Sequence, residues 1–290
     1  MKKSTRKLAR THGWRIDRIV HNYLYFVYYH AYVRLAMVLV NAIQGISGPK
    51  SLAAIGRMVF NRYHSKVLSA GDARKILTLE KNIHLDAEKS KQVIPFRYAT
   101  KIIFQEPRFI AVMDCPCKVA TGTCAPEGCC LAVGAKLARF WLEHCQKYNA
   151  RRISQAEALA IVRRFRRQGH ITQAFLKVAT GGSTGVICNC CPDCCVSLKA
   201  TAAARTLDKT LSMNAPAGYK VVHDPERCSG CGQCASVCHF EAVRQDGGQR
   251  HYAAVRCMGC ELCVEHCPQQ ALSLVIDPKK PLPLDLDRLC

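Results

Sequence analysis

The chain has no G-x-x-x-x-G-K phosphate loop and no G-x-G-x-x-G dinucleotide fingerprint. The usual marks of a nucleotide- or flavin-driven enzyme are therefore missing. Gly181-Gly-Ser-Thr-Gly185 is glycine-rich but fits neither pattern. Acidic residues are also scarce: 21 Asp and Glu stand against 42 Lys and Arg, for a net charge of +21. Residues 1–220 hold that excess, while residues 221–290 are mildly acidic. A basic surface attracts acidic proteins, anionic lipid and nucleic acid alike. No recognised nucleic-acid module or stacking aromatic pattern accompanies the charge, so nucleic acid is not the expected partner. A cleavable export signal is lacking too. The apolar stretch after the basic N-terminus is broken by His21, Asn22, His30 and Arg34, and no small-residue cleavage site follows. The expected location is the cytoplasm. There, 20 cysteines read as metal ligands rather than as a disulfide framework.

Residues 19–47 read as one Tyr-rich helix with His30, Arg34 and Asn41 in a narrow polar stripe, ended by Gly45, Gly48 and Pro49. Three readings fit it: packing against the body or another subunit, lying in a membrane interface with the basic residues against anionic headgroups, or spanning a membrane. The last would put Arg34 near the bilayer centre, at a high cost. Further on, a helix is expected near 51–66, a strand near Arg108–Met113 and a helix from Leu131 to about Tyr148. Ser154 and Glu157 form a capping box that starts a helix running to about Arg167 and stopping at Gly169. Its arginines, Arg151, Arg152, Arg163, Arg164, Arg166 and Arg167, read most simply as a solvated face. Thr201–Ala217 resembles a linker with some helix. Pro278–Cys290 reads as a Pro-rich tail, extended or mobile.

The strongest pattern is Cys228-x2-Cys231-x2-Cys234-x3-Cys238, which recurs 29 residues later as Cys257-x2-Cys260-x2-Cys263-x3-Cys267-Pro268. Arg227 and Arg256, Gly230 and Gly259, and Ala242 and Ala271 repeat with it, the signature of one half-module used twice. Three closely spaced thiolates on a tight, glycine-containing loop can wrap three corners of a cubane. The fourth cysteine of each run reaches the other cluster. The expected sets are Cys228, Cys231, Cys234 and Cys267 for cluster I, and Cys257, Cys260, Cys263 and Cys238 for cluster II. This stretch resembles bacterial two-cluster ferredoxins. The resemblance implies a pseudo-symmetric βαββαβ fold, two [4Fe–4S] clusters and low-potential one-electron chemistry. His239 stands where that family usually has proline.

A second cysteine region lies upstream. It comprises Cys115-Pro-Cys117, Cys124, Cys129, Cys130 and Cys145, then Cys188-Asn-Cys190-Cys191-Pro-Asp-Cys194-Cys195. D-C-P-C-K, T-C-x4-C-C, R-R-I-S-x-x-E-A-L and V-I-C-N-C-C-x-x-C-C resemble a module that precedes ferredoxin domains in uncharacterised iron–sulfur proteins of anaerobes. One or two further iron–sulfur clusters are expected here, with Cys115, Cys117, Cys124, Cys129, Cys188, Cys190, Cys191 and Cys194 as ligands. Zinc, redox-active thiols and buried inert cysteines are the alternatives. Cys145, beside Trp141 and Leu142, reads as core, and Cys290 as an unligated terminal thiol.

The expected fold class is α+β: a mostly helical cysteine-rich N-terminal region followed by the dicluster domain. The expected divisions are 1–48 (basic segment and helix), 49–220 (cysteine-rich module), 221–277 (ferredoxin domain) and 278–290 (tail). The expected function is electron transfer through the clusters to or from a partner oxidoreductase that is acidic at its docking site, with residues 1–47 available for peripheral membrane contact. The alternative is an iron–sulfur reductase with a catalytic centre in 115–195, fed by its own ferredoxin domain.

Overall fold

The computed structural model describes residues 28–43, 50–60, 63–96, 102–177, 185–208, 211–246 and 249–289, with a few isolated positions before residue 28. The upstream region contains strands β1 (Tyr63–Val67), β2 (Ile83–Leu85), β3 (Ile102–Phe104), β4 (Ile110–Met113), β5 (Cys130–Val133), β6 (Arg151–Ile153), β7 (Ile171–Lys177), β8 (Val186–Cys190) and β9 (Asn214–Ala215). Seven of them form one sheet in the order β6-β4-β5-β8-β7-β1-β9, and β2 pairs with β3 separately. The sheet is antiparallel except where β9 joins β1 in parallel.

The central strands β4, β5 and β8 are buried along their whole length. Successive side chains point to opposite faces of a strand, so each strand feeds two cores. Ala111, Met113, Cys130, Ala132, Cys188 and Cys190 pack with Val33, Ala138 and Trp141 from the helices Tyr29–Ile43 and Ala135–His144. Ile110, Val112, Leu131, Val133 and Ile187 pack on the other face with Ile76, Ile161 and Phe165 from the helices Ala70–Leu77 and Gln155–Arg167.

This corrects the expectation of a mostly helical region. The fold is mixed α+β, and a sheet organises the cysteine-rich part. The central strands β4 and β5 are short and apolar on both faces, so they carry no period-two alternation that would separate them from buried helix. The helix expected from Leu131 starts only at Ala135, because Cys130–Val133 is β5 and Gly134 turns the chain at φ 103°. The helix expected near 51–66 ends at Phe60, and β1 follows. Thr201–Ala217 is no linker: the helix Val196–Leu207 runs into it, and β9 then joins the sheet. Ser154 caps as expected, its Oγ accepting from the Glu157 amide at 3.1 Å, and the helix runs Gln155–Arg167.

The helix Tyr29–Ile43 falls within the expected 19–47 element. Gly45, Gly48 and Pro49 lie outside the described residues, as do Gly181 to Thr184. Tyr29 and Val33 are buried against the body, while Leu35, Val38 and Leu39 are exposed. Among the described residues, no helix is long and apolar enough to cross a membrane.

The C-terminal segment runs β10 (Tyr219–His223), a short helix Gln233–Ser236, β11 (Val243–Asp246), β12 (Gln249–Tyr252), a short helix Leu262–Glu265 and β13 (Leu272–Ile276). β10 pairs with β13 and β11 with β12, both antiparallel. The tail then returns to the upstream body instead of extending freely. The Lys66 ammonium donates to the Leu282 carbonyl at 2.7 Å, and the Leu282 amide to the Gln92 carbonyl at 2.9 Å. Leu284, Leu286 and Leu289 are buried in the second core. Gly218 makes the close approach possible: at φ 101°, an added Cβ would meet the Pro283 nitrogen at 2.6 Å.

Candidate metal centres

In the first half of the C-terminal repeat, Cys228, Cys231 and Cys234 line one cavity of about 240 Å³ together with Cys267 from the second half. His223 and Arg250 line it too, and His223 Nε2, Arg250 Nε and Arg250 Nη2 are buried without hydrogen-bond partners. Four thiols facing orphaned nitrogen donors suit an anionic metal–sulfur group, which would supply the missing partner. In the other set, Cys263 is raised by burial first and then by the charges of Cys260, Cys238 and Cys257, so these four sulfurs share one neighbourhood. Burial also pushes Cys260 up to about 12, against a hydrogen bond from the Leu262 amide. The fourth cysteine of each run accepts a backbone bond at the same offset. Ala242 N donates to Cys238 Sγ and Ala271 N to Cys267 Sγ, both at 3.3 Å.

The loops need left-handed backbone. Gly230, Gly232 and Gly259 have φ of 71°, 75° and 68°. At Gly259 a Cβ would also strike the Tyr219 carbonyl oxygen at 2.7 Å, so both conformation and space demand glycine. The residue equivalent to Gly232 in the second half is Glu261, held at φ 71°. Its carboxylate accepts from the Ala70 amide at 2.7 Å, at the start of the helix Ala70–Leu77.

The upstream cysteines divide into two groups. In the inner one, Cys130 and Cys188 are register partners on β5 and β8, with their sulfurs 3.6 Å apart. Cys115 sits with Cys129 and Cys130, all three sulfurs within 4.8 Å of one another. Hydrogen bonds from Cys117, Cys129 and Cys130 hold the Cys115 thiol well below its usual range. Cys117 is raised well above that range by Cys115 and lies beside Cys195, and the Cys190 thiol bonds Cys188 and Cys195. Seven thiols thus converge. Cys195 occupies the N-cap position of the helix Val196–Leu207 without a side-chain cap bond, and the Val196 amide reaches the Cys117 thiol. The outer group is Cys124, Cys191 and Cys194.

Cys130 and Cys195 belong to the inner group although the expected ligand set omitted them. Their doublets were the available signal. Cys190, the last residue of β8, joins the inner group, while Cys191 and Cys194 on the turn that follows join the outer one and Cys195 returns to the inner. Cys145 is core as expected, with burial pushing its thiol up to about 12. Cys290 lies outside the described residues. Lys118, also missed, is buried with its ammonium 4.8 Å above the Phe165 ring, and its charge acts on both Cys124 and Cys129. Among the described residues no carboxylate pairs with it.

Arg166 corrects the reading of its helix as a wholly solvated face. Its side chain is 2% exposed. It donates to Glu265 and to the Cys260 carbonyl, both at 2.7 Å, and to Thr172 Oγ1 at 3.3 Å. Thr172 donates on to Asn189 Oδ1, and Asn189 Nδ2 donates to the Cys129 carbonyl, both at 3.2 Å. One unbroken hydrogen-bond chain therefore joins the Cys260 loop to the inner thiols. Beside it, His239 donates through Nε2 to the Gly169 carbonyl at 2.7 Å. The departure from proline at that position thus makes a contact between the two halves of the molecule.

Residues 220–268 match the 4Fe-4S dicluster domain family. The electron transport protein HydN of Escherichia coli strain K12 is 40% identical over 53 residues, 18% of this chain and 30% of HydN. An uncharacterized ferredoxin of Methanocaldococcus jannaschii, MJ0722, is 33% identical over 66 residues, 21% of this chain and 86% of that ferredoxin. The chain therefore spans less than a third of HydN but most of the small ferredoxin. Two [4Fe–4S] clusters are the cofactors that this domain carries. Through its C-terminal segment the chain belongs to the dicluster 4Fe–4S ferredoxins, a family of iron–sulfur electron-transfer proteins.

Proposed function

We propose that the chain is an electron-transfer protein in which a pseudo-symmetric βαββαβ ferredoxin unit, residues 221–277, is connected to an additional iron–sulfur centre in the upstream module, residues 49–220. When bound, the clusters supply reversible one-electron transfer at potentials set by charge, hydrogen bonds and exposure. The ligands of cluster I are Cys228, Cys231, Cys234 and Cys267, and those of cluster II are Cys257, Cys260, Cys263 and Cys238. Of the upstream cysteines expected as ligands, Cys115, Cys117, Cys129, Cys188 and Cys190, together with Cys130 and Cys195, are the set from which the four ligands of the additional cluster are drawn.

The observation that carries this reading is the Arg166 chain. It runs from the Cys260 carbonyl through Thr172 and Asn189 to Cys129, so the cluster II loop faces the inner thiols across a packed, hydrogen-bonded path. The cluster I loop lies on the other side, with Cys228 and Cys231 exposed beside Arg244. That side receives the redox partner. Residues 1–48 remain available for contact with a membrane surface, and 278–289 clasp the ferredoxin unit to the body.

Iron and acid-labile sulfide counts on anaerobically purified protein test the reading. More than the roughly eight iron atoms that two [4Fe–4S] clusters contain is expected. A count of about eight removes the upstream cluster. Cys188→Ser is expected to lower the count while leaving the EPR signals of the ferredoxin pair in place.

A further inference from the structure

The outer thiol group differs from the inner one in number: three sulfurs against seven. Cys124 comes from the loop that leads to β5. Cys191 and Cys194 come from the turn between β8 and the helix Val196–Leu207. Their three sulfurs lie within 4.8 Å of one another, with Cys124 and Cys191 3.5 Å apart. A single tetrahedral ion with metal–sulfur bonds near 2.3 Å holds its thiolates about 3.8 Å apart. In a cubane each thiolate ends on its own iron, so the sulfurs stand farther apart than around one ion. The triad has the spacing of one ion. The inner group has equally short contacts, 3.6 Å between Cys130 and Cys188, but its seven thiols are more than one ion can take.

The surroundings offer hydrogen bonds and charge to the three sulfurs. The Asp193 amide bonds Cys191. Thr123 Oγ1 stands 3.0 Å from Cys194 Sγ. The buried Lys118, without a carboxylate partner among the described residues, supplies positive charge to this group as well as to the inner one. Asp193 is 3.7 Å from Cys191 but does not complete a four-residue group with the triad. Three protein ligands and a free fourth position are the mark of a zinc site that exchanges its last ligand, as opposed to a closed structural one.

We propose that Cys124, Cys191 and Cys194 bind one soft divalent cation of the zinc type, separate from the iron–sulfur centres, with an exchangeable fourth ligand. This replaces the cluster role expected for these three cysteines, and it stands whether or not the inner thiols carry iron.

The test uses the full chain, purified without oxygen in medium containing Zn2+, and measures zinc and iron together. One zinc per chain is expected in the parent protein. Cys124→Ser and Cys191→Ser are expected to lose it with the iron count unchanged. Parent protein without zinc overturns the proposal, and so do variants that lose iron in step. Because Cys191→Ser could disturb folding, parent protein grown with Co2+ provides a second measurement. Thiolate-to-cobalt absorption with four-coordinate bands is expected, and its absence overturns the proposal. A low iron count with the zinc retained would instead sink only the upstream cluster.

Discussion

Glu261 shows how a single residue records the joining of two halves. The repeat places it where the first half has Gly232, in left-handed backbone that a side chain adopts only at a cost. Its carboxylate meets an amide at a helix start, and that bond offsets the strain. The first-half glycine has no such task. Arg166 works on the same interface. Replacing it with Gln removes a buried charge from Glu265 and a donor from the Cys260 carbonyl. The expected cost is about 2–3 kcal/mol of stability in denaturant unfolding. Loss of a cation beside the cluster II loop is also expected to make one ferredoxin potential more negative, because the reduced cluster carries the larger negative charge. Redox titration followed by EPR reads that shift, and an unmoved potential would confine Arg166 to packing.

At the scale of elements, the C-terminal repeat was legible because its ligands are local. Four cysteines within each half-module, with glycines between them, declare a loop whatever the rest of the chain does. Of the upstream sheet only β4 was legible, as the strand expected near Arg108–Met113. Its strands are short, Cys130–Val133 among them, and buried on both faces. Its thiols meet through register between β5 and β8, a long-range property that spacing along the chain does not encode. The tail was misread for a related reason. Prolines signal extended backbone, and residues 281–285 do lack helix or strand, but Leu284 is fully buried. Leu284→Ala is expected to cost about 2–5 kcal/mol and to lower the urea midpoint of the whole upstream body. A change confined to the tail's own protease sensitivity would contradict this packing.

Across the whole molecule, charge is distributed to suit anionic centres. The basic excess lies in the part that surrounds the upstream thiols. Two buried groups beside the clasped tail make stability depend on pH. Burial lowers Lys66 to about 7 from 10.5 and raises Asp72 to about 6 from 3.8. The lowered Lys66 value means that the folded chain has released a proton which the unfolded chain still holds. Its contribution is therefore present above 10.5 and lost as pH falls through about 7, a slope of about 1.4 kcal/mol per pH unit between them. Asp72 acts in its own window. Its contribution is present below 3.8 and lost as pH rises through about 6. Unfolding measured from pH 7 to 8.5, below the range in which the buried thiols begin to oppose it, is expected to show stability rising with pH in the parent chain and a flatter profile in Lys66→Met. Equal slopes would remove Lys66 as the cause.

The Asp277 amide donates to the Gly218 carbonyl at 3.0 Å, so the ferredoxin segment leaves the body beside the point where it enters. Gripped at its base, and docked again through Arg166, Glu261 and His239, it has no flexible arm on which to swing. Its redox centres keep one separation from the upstream thiols. Transfer between them should then follow a single rate that is indifferent to solvent viscosity, whereas a tethered carrier would show a spread of rates set by diffusion of its linker.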